Sequence, residues 1–146
     1  DLMAASSIPG FLLPVIIFVV SAFLSFSTGT AWGTFGILIP IIVPVATALS
    51  PNLLIVALSA TLSGSVFGDH CSPISDTTIL SSTGAECDHL LHVSTQLPYA
   101  ITVADVSFVS FIIAGFIQNW LICLPIAILL MVGTLLVIKA ITKKKA

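Results

Sequence analysis

The sequence predicts an all-α fold: a polytopic membrane protein with broken helices and a re-entrant hairpin. Of its 146 residues, 58% are hydrophobic and only 7% are charged, whereas a typical soluble domain carries roughly 25% charged residues. The mean hydropathy is +1.22, and the longer apolar runs approach the ~20 residues that a helix needs to cross a bilayer. Glycine and proline interrupt several of these runs, which predicts discontinuous helices.

The charged residues are distributed unevenly along the chain. Its four basic residues besides histidine are Lys139, Lys143, Lys144 and Lys145, so residues 1–138 contain six acids and no Lys or Arg. This distribution favours a positively charged ligand within the membrane and argues against nucleic acid as a partner. Three cysteines are also too few, and odd in number, for a secreted disulfide scaffold.

The ends of the sequence predict a longer parent protein. Asp1 precedes an apolar stretch without a basic segment, a pattern that does not fit a signal peptide. Only Ala146 follows the lysine cluster, which is typical of a natural C-terminus. We therefore expect the chain to be the C-terminal part of a longer membrane protein.

The first half of the chain predicts one complete span followed by an interrupted region. Residues 8–26 form an apolar run close to spanning length, and residues 27–36 are rich in glycine and hydroxyl groups. The next run, Ile37–Leu49, contains Pro40 and Pro44 and is short for a span unless the preceding glycine-rich segment also lies in the membrane.

The middle of the chain predicts a second interruption. Leu53–Leu62 is too short to cross a bilayer alone, and residues 63–78 contain several Gly, Ser and Thr residues and Pro73. Irregular backbone at membrane depth is tolerated only where it is buried in protein or lines an aqueous cavity. We therefore expect a broken or re-entrant region over about residues 27–83.

The last third predicts a polar connection and two further spans. Residues 84–98 are polar, and apolar runs follow at about 99–118 and 120–138, so close together that they predict an antiparallel hairpin. The terminal lysines place the C-terminus in the cytoplasm by the positive-inside rule. The sequence thus predicts a multi-pass protein of the cell membrane, with lipids as its surroundings.

Two acids in the interrupted region are candidates for binding a proton or a cation. Asp69 and Asp76 stand among hydroxyl residues, without a Lys or Arg to neutralise them. A carboxylate that alternates between a proton and a sodium ion is the simplest device for exchanging the two, and neighbouring hydroxyls suit a small hard cation. The candidate oxygen ligands are Ser72, Ser75, Thr77 and Thr78. The alternative is that both acids lie in an aqueous loop, with Asp76 capping a helix.

The first glycine-rich segment supplies further candidate ligands. Hydroxyl groups there can bind a substrate where the helix unwinds; they belong to Ser27, Thr28, Thr30 and Thr34. The alternative is close helix packing, because the pairs Gly29/Gly33 and Gly64/Gly68 each have the four-residue spacing that allows membrane helices to touch.

His70 and Asp105 are candidate proton-relay groups. His70 adjoins Asp69, and histidine is a residue type that can transfer protons near neutral pH, although a purely hydrogen-bonded role fits it equally. Asp105 lies several residues inside a predicted span, where a hydrated position near the interface is the alternative. His70–Cys71 and the pair His89/His92 match no standard zinc spacing, so no resident metal is expected.

Two stretches resemble the NhaC family of sodium/proton antiporters. They are GTAWGTFGILIPI and SGSVFGDHCSPISDTTILSSTGAECDHLLHVSTQLPYA, and the similarity covers about residues 27–100. The resemblance implies the C-terminal half of an inverted-repeat transporter with re-entrant hairpins. It also implies a cation region at Ser27–Thr34 together with Asp69–Thr78, completed by an N-terminal half that this sequence lacks.

The function expected from these observations is secondary transport, in which sodium or lithium is exchanged for protons without a cofactor and without an enzymatic reaction. An alternative is antiport of an organic acid or amino acid coupled to sodium or protons. A distant alternative is an intramembrane protease in which Asp69 and Asp76 form a catalytic pair. Assembly as a homo-oligomer stays open at this point.

Overall fold

The chain is described from a computed structural model, and the structure describes residues 9–49 and 51–145. Within these residues the regular structure is helical and contains no strands, which confirms the predicted all-α class. Ile8, where the first predicted span begins, lies outside the described residues, as does Ala146. The α-helices are α1 (Leu13–Thr28), α2 (Ala31–Leu49), α3 (Leu54–Cys71), α4 (Asp76–Gly84), α5 (His89–Ile117) and α6 (Trp120–Lys145).

Five of the described helical segments are long and apolar enough to cross a membrane. They are Gly10–Thr28, Ala31–Leu49, Pro51–Cys71, His89–Ile117 and Trp120–Lys143. Large apolar side chains cover their outward surfaces, as expected for contact with lipid, and many of the buried side chains are hydroxyls. The chain is therefore a multi-pass membrane protein.

Helices α2 and α3 are longer than the sequence patterns predict. The glycine-rich segment forms the first part of α2, and Pro40 and Pro44 lie inside that helix without ending it. Helix α3 continues past Leu62 to Cys71, so the apolar run Leu53–Leu62 is part of a helix that is long enough to cross. Membrane helices tolerate glycine and proline when neighbouring helices and hydroxyl side chains satisfy the freed backbone groups. Between α1 and α4, the chain leaves the helical conformation only briefly.

Helices α1 and α3 are packed with their backbones in contact. A Cβ atom on Gly64 would collide with the carbonyl oxygen of Phe18, and one on Gly68 would collide with that of Ala22. The Cβ atom on Gly68 would also lie 2.8 Å from the backbone nitrogen of Phe26. Since both contact positions advance along the two helices together, α1 and α3 run parallel, and their C-terminal ends lie at the same end of the bundle.

The remaining helices complete the bundle. Helix α5 runs antiparallel to α1, because the tilted rings of Phe111 and Phe18 have centroids 5.4 Å apart and Gly115 meets the carbonyl of Phe11. Only residues 118–119 separate α5 from α6, and the two helices pack together as the predicted antiparallel hairpin.

The predicted polar connection is mostly helical. Only residues 85–88 lie outside helices, and α5 begins at His89, where the Asp88 side chain accepts a hydrogen bond of 2.7 Å from the Leu91 amide. Pro98 lies within α5 and does not end it. The capping carboxylate and the apolar residues that follow explain why the helix starts about ten residues earlier than its apolar pattern predicts.

The α1–α3 contact predicts the effect of enlarging Gly68. The Gly68→Ala substitution should push the two helices apart and lower the free energy of unfolding by about 1–3 kcal/mol, as overpacking does in other interiors. Thermal unfolding of the purified full-length protein measures the change. Gly133→Ala in α6, where no atom lies within 4 Å of the new Cβ, is the matched control. Equal melting temperatures for the two variants would contradict the contact.

Candidate functional site

The two interruptions of the helices lie against each other. Helix α1 ends at Thr28, and its C-cap residue Gly29 has a left-handed backbone conformation with φ of 69°. A Cβ atom there would lie 2.7 Å from the Ile74 carbonyl oxygen, so only glycine fits both the conformation and the contact. The Gly29 carbonyl accepts a hydrogen bond of 3.4 Å from the Asp76 amide. The break after α1 therefore rests directly on the break between α3 and α4.

Asp69 lies at the centre of this junction. It belongs to the last turn of α3 and is only 2% exposed. Its Oδ1 atom accepts a hydrogen bond of 2.8 Å from the Ser75 hydroxyl, and its Oδ2 atom accepts one of 2.6 Å from the Thr77 hydroxyl. Both carboxylate oxygens are thus held by neutral donors rather than by a basic side chain.

The first turn of α4 supplies these donors. Ser75 is the N-cap of α4, and its hydroxyl also accepts a hydrogen bond of 3.4 Å from the Thr78 amide. The Ser75 and Thr77 hydroxyl oxygens lie 2.8 Å apart. The first turn of α4 thus holds both hydroxyl groups against the Asp69 carboxylate. The result is a compact cluster of oxygen atoms of the kind that a small hard cation can use.

Asp76 has a different environment. It is exposed, and its Oδ1 atom accepts a hydrogen bond of 2.7 Å from the adjacent Thr77 amide. The prediction that Asp76 caps the helix is wrong by one residue, because Ser75 takes that position and Asp76 is the first residue of α4. Of the two candidate acids, only Asp69 is enclosed by ligand groups.

The other candidate hydroxyls lie around the junction in two groups. Thr34 is buried, bonds to the Thr28 hydroxyl at 3.1 Å, and donates to the Thr30 carbonyl at 2.8 Å. The exposed Ser27 hydroxyl donates to its own helix at Phe23. The segment that carries Ser27, Thr28, Thr30 and Thr34 is joined to α4 by the hydrogen bond from the Asp76 amide to the Gly29 carbonyl. Within the described residues, none of these four side chains makes a hydrogen bond to Asp69.

Ser72 and Thr78 belong to the second group, on the side of α3 and α4. Both are buried. The Ser72 amide donates to the Asp69 carbonyl at 3.1 Å, whereas its hydroxyl oxygen has no hydrogen-bond partner in the described part of the chain.

The two candidate relay groups are placed away from this cluster. His70 is exposed, and its Nδ1 atom donates to the Val66 carbonyl at 2.9 Å. It lines a cavity of about 580 Å³ between α3 and α5 that also includes Gln96 and Tyr99. Asp105 lines a separate groove between α5 and α6, next to Thr134. The structure brings neither group into hydrogen-bond contact with Asp69 in the residues that it describes.

His89 is a site residue that sequence reasoning missed. Its Nε2 atom donates a hydrogen bond of 2.6 Å to the Pro73 carbonyl, and its Nδ1 atom lies 3.0 Å from the Ser82 hydroxyl. The imidazole therefore ties the first residue of α5 to both the α3–α4 break and α4. Pro73 is sixteen positions away in sequence, and no local pattern points to this contact. Within the described residues, no three His, Cys, Asp or Glu side chains gather as a metal-ion site.

A buried carboxylate where two helix interruptions meet, inside a bundle of membrane-spanning helices, is the architecture of ion-coupled membrane transporters. The sequence comparison agrees with this class. The chain belongs to the Na⁺/H⁺ antiporter family, whose model matches residues 1–116. This result confirms the resemblance seen in the sequence. Membership of an antiporter family contradicts the protease alternative. The geometry also argues against a catalytic pair, because Asp69 is buried whereas Asp76 is exposed.

Several curated proteins are similar to this chain. An uncharacterized protein of Haemophilus influenzae is 55% identical over 119 residues, which are 82% of this chain and 23% of the relative. The malate-2H⁺/Na⁺-lactate antiporter of Bacillus subtilis is 36% identical over 75% of this chain and 23% of its own length. The arginine/ornithine antiporter ArcD of Halobacterium salinarum is 34% identical over 72% of this chain and 22% of its own length. The chain thus spans less than a quarter of the length of these relatives, and no solved structure matches it.

The His89 contacts predict a positioning role that can be tested. His89→Ala removes the donor to the exposed Pro73 carbonyl and should destabilise the α3–α4 break by about 0.5–1.5 kcal/mol, the usual net contribution of one hydrogen bond. Hydrogen exchange of the amides of residues 72–78 in the full-length protein measures this change. His92→Ala is the matched control, since the His92 side chain makes no hydrogen bond in the described residues. Unchanged exchange in the His89 variant would contradict the role.

Proposed function

We propose that this chain forms part of a secondary antiporter in the cell membrane that exchanges sodium or lithium ions for protons. The observation that carries this proposal is the Asp69 carboxylate, which is 2% exposed, bonded by two hydroxyls and remote in sequence from any Lys or Arg. An unneutralised carboxylate inside a membrane protein requires a proton, a cation or a dense set of donors. In the proposed antiporter, the transported proton and the transported cation neutralise Asp69 in turn.

The arrangement explains how one group can serve both ions. When Asp69 is ionised, its oxygens and the lone pairs of the Ser75 and Thr77 hydroxyls offer ligands to a small hard cation. When Asp69 is protonated, the carboxyl group loses its charge and attracts the cation far less. Proton and cation therefore compete for a single group, and this competition couples their movements in opposite directions.

The proposed antiporter needs further helices of the same polypeptide. Inverted-repeat carriers build the binding site between two structural halves, and this chain spans less than a quarter of its relatives. We propose that the missing N-terminal half closes over the Asp69 junction. The lysine-rich end of α6 then faces the cytoplasm. Since α6 ends on the side where α5 begins, the Asp69 junction lies near the cytoplasmic end of these helices.

A second candidate function is antiport of an organic solute on the same scaffold. Two relatives are named for organic substrates, malate/lactate and arginine/ornithine. The cavity between α3 and α5 supports this candidate, because about 580 Å³ is enough for a small organic molecule, and His70, Gln96 and Tyr99 offer polar groups.

Neutralising Asp69 tests the proposed carrier group. In everted membrane vesicles with a preformed proton gradient, Na⁺ or Li⁺ should collapse the gradient when the full-length protein is present. Asp69→Asn should reduce this response to that of vesicles without the protein, because the amide neither binds a cation as strongly nor carries a proton. Asp76→Asn is the matched control and should retain exchange, since Asp76 is exposed. Sodium-driven exchange by the Asp69 variant would overturn the proposal.

The choice of cargo is tested in the same vesicles. Na⁺, Li⁺, K⁺, malate, lactate, arginine and ornithine are added one at a time, and collapse of the gradient is followed. A response to Na⁺ or Li⁺ alone supports cation/proton exchange. A response that appears only with an organic solute supports the second candidate and rejects the first.

A further inference from the structure

Four buried hydroxyl groups in the described part of the chain have no hydrogen-bond partner. They belong to Ser21, Ser25, Ser65 and Ser72, and each of these residues is 0% exposed. Leaving a buried hydroxyl unpaired costs about 1–3 kcal/mol. Because these side chains are fully enclosed by the present helices, additional helices of a longer protein cannot reach them without separating α1 from α3.

Three of these hydroxyls lie along the contact between α1 and α3. Ser65 precedes Asp69 by one helical turn, which places the two on the same face of α3. Ser21 and Ser25 are one turn apart on α1, and a Cβ atom on Gly64 would lie 2.9 Å from Cβ of Ser21. We call Ser21, Ser25 and Ser65 the α1–α3 seam. The seam extends from the Asp69 junction to about the middle of α1.

The seam hydroxyls differ from the other helix hydroxyls of this chain. Serine and threonine in a helix commonly donate to the carbonyl four residues earlier, and those that do so here include Thr47, Ser59, Thr61, Ser110 and Thr134. The seam hydroxyls make no such bond. Their oxygen atoms are therefore buried without a partner on their own backbone or on the neighbouring helix in the described residues.

The chemistry of the seam suits a small cation. Its polar side-chain groups are hydroxyl oxygens, and residues 1–138 contain no Lys or Arg that would attract an anion. Neutral oxygen atoms are good ligands for a hard, monovalent ion such as Na⁺ or Li⁺. Asp69 at the end of the seam adds the negative charge that draws such an ion inward.

We propose that Ser21, Ser25 and Ser65 form an inner subsite through which the transported Na⁺ or Li⁺ passes between Asp69 and the centre of the membrane. The inference rests on the proposed function and extends it to residues that neither the sequence pattern nor the comparisons single out. A cation in the seam satisfies the oxygen atoms that the protein itself leaves unpaired. Loss of one ligand should weaken cation binding without unfolding the helices.

Alanine substitutions separate this role from simple packing. Ser25→Ala and Ser65→Ala each remove an unpaired hydroxyl, so without sodium the purified full-length protein should melt at the same or a higher temperature. In vesicles, the Na⁺ concentration that gives half-maximal exchange should rise about tenfold, the effect of losing one charge-assisted contact. The rise in melting temperature that Na⁺ produces should shrink in parallel.

Two further variants keep the test decisive. Thr61→Val lies on α3 one turn before Ser65 and removes a hydroxyl that already donates to Ala57 at 2.8 Å, so its Na⁺ dependence should stay unchanged. Ser65→Cys keeps the approximate volume of the side chain while replacing a hard oxygen with a soft sulfur, and it should show the same loss as Ser65→Ala if the alanine variant fails to fold.

The outcomes distinguish this inference from the proposed function. If Asp69→Asn abolishes exchange while both serine variants keep the parent Na⁺ dependence, the inner subsite is wrong and the carrier role of Asp69 stands. An equal shift in Thr61→Val would also overturn the subsite, because general loosening of α3 would then explain the data. If Asp69→Asn still exchanges sodium for protons, the proposed function itself is wrong.

Discussion

The close contact between α1 and α3 is the constraint on which the rest of the structure depends. Gly64 and Gly68 let the two backbones touch at two positions one helical turn apart, and this contact sets the relative height of the two C-terminal ends. Because those ends are level, Gly29 lies against Ile74, and the chain can leave α3 and enter α4 while its backbone remains paired. The first turn of α4 is thereby held where its hydroxyls reach Asp69. A wider spacing of α1 and α3 would separate Gly29 from Ile74 and break the hydrogen bond between Gly29 and Asp76.

The polarity of the bundle is reversed relative to that of a soluble protein. Its outward surface is largely apolar, and its buried polar residues are mostly serine and threonine. These small hydroxyl residues allow close packing and at the same time surround one acid with neutral donors. A fixed basic partner would neutralise Asp69 permanently, whereas hydroxyls leave its charge available to a mobile ion. Under the proposed function the same residues would serve both packing and transport, and glycine and serine spacing alone does not separate the two roles.

The sequence allowed the class, the last helical hairpin and the helix interruption within residues 69–78 to be predicted, because these depend on composition and local spacing. The continuity of α2 through Pro40 and Pro44 was not predictable, since tertiary contacts decide whether a membrane helix survives a proline. The distinction between Asp69 and Asp76 also required coordinates, because both stand in similar local sequence and only burial separates them. His89 was missed since its partner is sixteen residues away.

The length of α5 has a consequence for how the Asp69 junction is held. Its 29 residues measure about 43 Å along the axis, whereas the hydrocarbon layer is about 30 Å thick. The apolar part begins near Tyr99, so the first two or three turns stand in the headgroup region or beyond it. His89 belongs to these turns and holds the Pro73 carbonyl from there. The backbone that frames the Asp69 junction is thus held by a side chain at the headgroup end of α5 rather than by one in the hydrocarbon layer.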